Sequence, residues 1–164
     1  MVLRLTNKLF KKIKENPPTE IREEPNPFLD WAADHFTVGG VRFIIISNCA
    51  SILNWVAPAK GINNSSEFIQ FVAEAQKECM QAYGFEIHWE RIIAPGLGKV
   101  YFRKVADRNM TGILMDLVKH AKFLLSDPDL SPYEVSLYLN KMPQCSRKEG
   151  FPIRAFQNLT LNSG

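Results

Sequence analysis

The stretch Asp34–Ser47, DHFTVGGVRFIIIS, determines most of the fold that the sequence predicts. A Gly-Gly pair at 39–40 supplies the positive φ angles that a two-residue hairpin turn requires. Asp34–Val38 and Val41–Ser47 are therefore predicted to be the two arms of a β-hairpin. The second arm is rich in β-branched residues and shows little alternation of polar and apolar side chains. We expect it to be a central strand that is covered on both faces.

Further strands and helices are predicted on either side of this hairpin. Strands are expected at Val2–Thr6, Ile52–Val56 and Lys99–Val105, and apolar periodicity indicates helices at residues 8–14, 64–83 and 109–125 and from Ser131 onward. The segment Phe85–Ile93 fits either a strand or a helix. The predicted fold class is α+β, with three to four helices packed on one face of a mainly antiparallel sheet. The sheet is mixed if Val2–Thr6 pairs parallel with a central strand.

Length and composition indicate one globular domain over residues 1–164. Hydrophobic residues make up 46% of the chain, which permits a core that depends on neither disulfides nor metal. Residues 19–27 are predicted to be a charged linker after the first helix, and residues 143–164 an irregular tail. The net charge of +3 is too small to indicate a nucleic-acid-binding protein by itself.

The three cysteines, Cys49, Cys79 and Cys145, are odd in number and widely spaced. This pattern argues against a disulfide framework and a thiolate zinc site, and it favours a reducing, cytoplasmic location. The sequence shows neither a signal peptide nor a membrane-spanning stretch, so we expect no membrane association. Because no motif typical of cofactor or metal binding occurs, we predict neither a cofactor nor a metal.

Asp116 and His120 are the first candidates for a functional site. Together with Asn109 they fall along one line of the predicted helix, at the edge of its apolar stripe. An aspartate and a histidine four residues apart can contact one substrate or one metal ion, although two ligands do not complete a zinc site. The alternative is an ordinary Asp–His pair at a helix boundary.

Asp30 and Asp34 form a second candidate pair, beside Trp31 and His35. Paired carboxylates are suited to acid–base catalysis or to magnesium binding. The alternative is that Asp30 caps a helical turn and that Trp31 is a core anchor.

Five basic residues near the N-terminus are candidates for a nucleic-acid-binding surface: Arg4, Lys8, Lys11, Lys12 and Lys14. A basic amphipathic helix can bind phosphates. The alternative is a solvated helix face whose charges pair with the acidic linker that follows.

Several segments of the chain also carry a family resemblance. They are LRLTNKLFKKIK at Leu3–Lys14, NPFLDW at Asn26–Trp31, FTVGGVRFIIISN at Phe36–Asn48, DRNMTGILMDLVKHA at Asp107–Ala121 and LSPYEVSLYLNKMP at Leu130–Pro143. Together they resemble an uncharacterised bacterial family known as a domain of unknown function. The resemblance implies a small stand-alone bacterial protein and supplies no activity.

The fold signals are good, but no set of catalytic residues converges in the sequence. We therefore favour a non-enzymatic binding or regulatory module of a bacterial cytoplasm, whose ligand is unknown and whose partner could be another protein or a second copy. The alternative is a small enzyme that acts on nucleic acid or a phosphorylated substrate. It predicts one cleft containing Asp116, His120 and the carboxylates of Asp30 or Asp34. The favoured hypothesis predicts that these groups are scattered or locally paired, and that an exposed apolar patch marks a partner surface.

Overall fold

A computed structural model describes residues 1–145 and 148–160 of the chain, which are built around one five-stranded sheet. The strands are β1 (Val2–Leu5), β2 (Asp30–Val38), β3 (Val41–Asn48), β4 (Asn54–Pro58) and β5 (Tyr101–Lys104), in the order β4-β3-β2-β1-β5. The predicted hairpin joins β2 to β3, with positive φ at both glycines of its turn. β4 adds antiparallel to β3, whereas β1 pairs parallel with both β2 and β5. The sheet is therefore mixed, and the α+β class is confirmed.

The helices account for the rest of the regular structure in the described residues. They are α1 (Asn7–Lys12), α2 (Ser65–Ala82), α3 (Glu86–His88), α4 (Ala94–Gly96), α5 (Arg108–Leu125), α6 (Pro132–Lys141) and α7 (Pro152–Gln157). Side-chain N-caps are present where the chain enters α2 and α6. Asn64 accepts a hydrogen bond from the backbone of Glu67, and Ser131 and Glu134 form a reciprocal capping box. These caps fix where α2 and α6 begin.

Helices cover both faces of the sheet, so the expectation of helices on one face was wrong. α1 and α2 bury their apolar side chains against one face, which includes Ile44 and Ile46. α5 and α6 pack on the opposite face, which includes Ile45. The cause lies in β3 itself, because its consecutive isoleucines point alternately to the two faces and all of them are buried. Covering on both faces was predicted for this strand and is confirmed.

Two other segments correct the sequence analysis. The tail was predicted to be irregular from residue 143 onward, but α7 forms within it and buries Phe156 against the rings of Phe28 and Phe85. Residues 146, 147 and 161–164 of that tail lie outside the described residues. The ambiguous segment at 85–93 is helical, because α3 continues through a π-helical turn (Trp89–Ile93) into α4. The π turn shifts the helical register, which explains why no regular helical period is visible there.

Candidate functional site

One side of α5 borders a cavity of about 450 Å³, which we call the α5 cleft. Its lining consists of Arg108, Asn109, Gly112, Ile113, Asp116, Leu117 and His120 from α5, together with Met142, Pro143, Gln144 and Cys145. The start of α5 is fixed by Asp107, which caps the helix by accepting a hydrogen bond from the backbone of Asn109 at 2.9 Å. The structure thus brings Asn109, Asp116 and His120 to one cleft, as their spacing on a helix suggested.

The imidazole of His120 is held by the helix backbone. Its Nδ1 lies 2.7 Å from the carbonyl oxygen of Asp116, which can only accept a hydrogen bond, so Nδ1 carries the proton. In the neutral ring Nε2 is then the unprotonated nitrogen, and it is a free acceptor within the described residues. The partner of His120 is a main-chain oxygen, whereas the Asp116 carboxylate is exposed in the cleft and has no hydrogen bond to residues 1–145 or 148–160.

Gly112 keeps the middle of the cleft wall open. A Cβ at this position would meet no atom within 4 Å, and the backbone has no positive φ that demands glycine. A glycine inside a helix costs about 1 kcal/mol relative to alanine. Neither close packing nor backbone conformation requires that cost here. What the missing side chain provides is space between Arg108 and Asp116.

Asp30 and Asp34 do not join this cleft, because both carboxylates are engaged elsewhere. Asp30 accepts two hydrogen bonds from the guanidinium of Arg4, at 2.8 and 2.5 Å, and this contact raises the pKa of Arg4 above its ordinary value. Asp34 accepts from the Thr6 hydroxyl at 2.6 Å and pairs with Lys8 at 3.3 Å. Asp30 borders a neighbouring cavity of about 330 Å³, which shares only Asn109 with the α5 cleft. Asp30 also follows a helical turn as its C-cap residue, and its carboxylate bonds to Arg4 rather than to the backbone of that turn.

The helical turn before β2 is capped by Asn26, and Asp30 begins the strand. The side chain of Asn26 accepts from the backbone of Phe28 at 3.0 Å, which starts a single 3-10 turn over Pro27–Leu29. Trp31 is fully buried and donates to the carbonyl of Phe28 at 2.8 Å, as expected of a core anchor.

The five basic residues near the N-terminus do not share one surface. Arg4 and Lys8 are bound to the two aspartates just described, whereas Lys11 and Lys14 are exposed. Lys12 lines a separate cavity next to the hairpin. Among the described residues, none of these five basic side chains forms an ion pair with the acidic linker. Glu23 and Glu24 of the linker contact Arg103 and the amino group of Met1, at 3.0 and 3.5 Å.

The cavity next to the hairpin contains a cluster of cations that the sequence did not suggest. Lys12, Arg42 and Lys60 line it, and they are contributed by α1, by the start of β3 and by the loop after β4. Only Lys12 was a candidate. The local sequence gives one indication of this cluster. Arg42 lies close to the Gly39-Gly40 turn in an otherwise apolar strand, which indicates that this end of β3 faces solvent.

Several other groups lie apart from the α5 cleft and from the cavity next to the hairpin. His88 is surrounded by the rings of Phe28, Phe85 and Phe156, with centroids 5.4 to 5.8 Å away. Large apolar side chains are exposed on several elements: Ile87, Met115, Phe123, Tyr138 and Phe151. Within residues 1–145 and 148–160, no three His, Cys, Asp or Glu side chains are grouped so that they could hold a metal ion. Over the same residues, no helix combines the length and the apolar character needed to cross a bilayer.

Comparison with known proteins assigns a family but no activity. No curated protein matches the chain. A family model described as "Domain of unknown function (DUF6933)" matches residues 2–155, which is nearly the whole chain. The chain therefore belongs to the DUF6933 family, whose function is unknown.

Proposed function

We propose that this chain is a non-enzymatic binding module that takes a small polar organic molecule in the α5 cleft. The observation that carries the proposal is Gly112, where a stability cost in mid-helix coincides with open space in the cleft wall. A cavity of this size is in the range of small-molecule sites. A helix under selection for stability alone would place alanine or a larger residue there.

The lining indicates the chemistry of the ligand. Arg108 and Asp116 offer one charge of each sign, and Asn109 and His120 Nε2 offer hydrogen bonds. Ile113, Leu117 and Met142 add apolar contact. This combination suits a molecule with a short apolar body, an anionic group for Arg108, and a hydroxyl or amino group for Asp116.

The test is a fragment screen read by amide NMR spectra of isotope-labelled protein, with small carboxylates, amino acids and polyols as probes. We expect fragments that shift the amides of residues 108–120 and 142–145 as one group. Gly112→Leu places a side chain in the cleft wall, at a position where a Cβ meets none of the described atoms within 4 Å, and should abolish those shifts while the protein stays folded. Met115→Leu, on the outward side of the same helix, is the matched control and should bind as the wild type does.

Either of two results refutes the proposal. In the first, no probe shifts this set of amides. In the second, the Gly112→Leu protein binds the same fragments with unchanged affinity, which would place them elsewhere on the surface.

A second candidate is a small enzyme acting on nucleic acid or a phosphorylated substrate through the same cleft. The observation in its favour is the tautomer of His120, whose Nε2 is available as a general base next to Asp116. Asp30 and Asp34 take no part in it, because Arg4, Thr6 and Lys8 engage them.

The enzyme hypothesis is tested with labelled single-stranded DNA, duplex DNA and RNA and with a chromogenic phosphomonoester, each with and without magnesium. Product formation that is lost in both Asp116→Asn and His120→Gln would support it. Intact probes under every condition would leave the binding module as the remaining proposal.

We place the protein in a bacterial cytoplasm as one domain over residues 1–164. No disulfide links the three cysteines, which fits a reducing compartment, and the bacterial origin rests on the sequence resemblance. A protein partner or a second copy would use exposed apolar side chains such as Met115 and Phe123 on α5. Sedimentation velocity of the wild type and of Phe123→Lys tests self-association.

A further inference from the structure

A cavity of about 370 Å³ lies beside the tip of the β2–β3 hairpin, on a different part of the sheet from the α5 cleft. Its lining is Lys12, Gly40, Val41, Arg42, Ala59, Lys60, Gly61 and Asn63. Three of these residues are cations and none is an acid. Like charges repel one another, so three cations around one cavity are stable only if solvent or an anion compensates them.

The described residues provide no compensating carboxylate. Arg42 and Lys60 are exposed and form no ion pair, and Lys12 donates only to the neutral amide oxygen of Asn63, at 3.3 Å. One acid, Glu67, contacts a residue of the lining. Its carboxylate accepts from the backbone of Asn63 at 2.7 Å and belongs to the cap of α2. The positive charge of the cavity is therefore available to a ligand.

The fold holds these cations on three separate elements. The backbone of Ala59 donates to the carbonyl of Arg42 at 2.9 Å, which ties the loop after β4 to the start of β3. Asn63 bonds to both Lys12 and the carbonyl of Gly61, and so links α1 to the same loop. The backbone N–H groups of Lys60 and Gly61 have no partner within the described residues. Both residues line the cavity, so its wall includes these two N–H donors besides the three cations.

We infer that this cavity binds the phosphate groups of a small molecule that carries a diphosphate or longer polyphosphate. Lysine and arginine side chains with free backbone N–H groups are the donors that phosphate oxygens use. A cavity of this size admits a small ligand. The inference is independent of the α5 cleft and goes beyond its proposed ligand.

A small ligand fits this cavity better than a nucleic-acid strand. No aromatic side chain lines it, so the stacking platform that single strands use is missing from the lining. The other basic residues near the N-terminus do not extend it into a track, because Lys8 is paired with Asp34 and neither Lys11 nor Lys14 borders the cavity.

The test is isothermal titration calorimetry of the full chain with pyrophosphate, ADP and inorganic phosphate, at low and at physiological salt. We expect pyrophosphate and ADP to bind, with an affinity that falls as salt rises. Arg42→Gln and Lys60→Gln should each weaken binding by about tenfold or more, because each removes a charge-assisted contact. Tighter binding of ADP would identify a nucleotide as the source of the phosphates, and equal or tighter binding of pyrophosphate would identify a free polyphosphate.

Two further variants make the test specific. Lys77→Gln removes the same charge from an exposed position on α2 and should leave both affinities within about twofold of the wild type, since distant exposed charges are screened. Gly112→Leu should also leave them unchanged, because it alters only the α5 cleft. The inference is overturned if neither pyrophosphate nor ADP binds at millimolar concentration, or if Lys77→Gln weakens binding as much as Arg42→Gln. Single-stranded DNA is titrated in the same way, and the inference is equally overturned if it binds while pyrophosphate and ADP do not.

Discussion

The side-chain amide of Asn140, on α6, bonds to both backbone polar groups of Asn54, on the edge strand β4. Its Oδ1 accepts from the Asn54 N–H at 3.0 Å, and its Nδ2 donates to the Asn54 carbonyl at 2.7 Å. One helical turn earlier, the hydroxyl of Ser136 makes the same two contacts with Val56, at 2.9 and 3.2 Å. α6 thus occupies the free edge of β4 with the hydrogen bonds that another strand would make, and all four residues are buried.

Asn140→Ala should therefore destabilise the fold by about 3 kcal/mol, because the N–H of Asn54 would lose its side-chain acceptor and its carbonyl would keep only the long contact from the Cys79 thiol, at 4.0 Å. Urea unfolding followed by tryptophan fluorescence measures the change in the free energy of unfolding. Tyr138→Ala, at an exposed position of the same helix, should cost less than about 1 kcal/mol. A loss from Asn140→Ala no larger than that of the control would contradict the role we assign to the amide.

Lys14→Gly should stabilise the protein by about 1 kcal/mol. Lys14 has a φ of 59° and occupies the left-handed position just after α1. Its N–H donates to the carbonyl of Lys11, and the N–H of Glu15 donates to the carbonyl of Phe10. A non-glycine residue pays a steric cost for that conformation, which glycine does not. Thermal or urea unfolding of the variant shows whether the free energy of unfolding rises or falls. The control is Lys11→Gly, inside the helix, which should lower the stability.

The sequence predicted those parts of the fold that depend on neighbouring residues. The Gly39-Gly40 turn, the isoleucines of β3 and the caps at Asn64 and Ser131 each act over a few positions, so their consequences could be worked out from the sequence alone. The prediction that helices pack on one face of the sheet was wrong, because the face that each helix covers depends on how distant strands pair. α1 connects the parallel strands β1 and β2 and packs with α2 on one face, whereas α5 and α6 pack on the other.

The same distinction between neighbouring and distant residues applies to the candidate sites. Asn109, Asp116 and His120 are brought together by one helix, and the sequence placed them on one line correctly. Lys12, Arg42 and Lys60 meet only through the sheet, across many residues of chain, and no local pattern links them. The functions of Asp30 and Asp34 as salt-bridge and hydrogen-bond acceptors were hidden for the same reason, since Arg4 and Thr6 reach them across the β1–β2 pair.

Asp30→Asn should destabilise the protein by about 2 kcal/mol, because it leaves the half-buried guanidinium of Arg4 without its carboxylate. The double variant Arg4→Met with Asp30→Leu should lose less than the sum of the two single changes, since it removes both charges together. The control is Glu20→Gln, which breaks an exposed pair with Arg22 at 3.6 Å and should cost no more than about 0.5 kcal/mol. Strictly additive losses in the double variant would refute the coupling of Arg4 and Asp30.

The three thiols should react with Ellman's reagent in the order of their exposure. Cys145 is exposed and should react first, and Cys49 is half-buried and should follow more slowly. Cys79 is fully buried, and this burial raises the pKa of its thiol, so it should react only after denaturation. Cys145→Ser must remove the fast phase and leave the slow ones, and a fast phase that survives in this variant would contradict the order.

His35 should make the stability depend on pH below about 6.5. Its ring is half-buried and its Nε2 donates to the carbonyl of Lys8 at 3.2 Å, and burial lowers the pKa of His35 below its ordinary value of 6.5 in spite of that hydrogen bond. As the pH falls through about 6.5, the unfolded chain takes up the proton before the folded chain does. The contribution of His35 to stability is therefore complete above that pH and is lost as the pH falls towards the folded pKa.

Urea unfolding at about pH 7.5 and about pH 5.5, for the wild type and for His35→Gln, separates this effect from the titration of other groups. The wild type should lose more stability between the two pH values than the variant does, because the variant keeps every titrating side chain except this one. If His35→Gln loses as much as the wild type over that interval, or more, then the proton on the unfolded chain is taken up elsewhere and the burial of His35 does not govern the acid sensitivity of the fold.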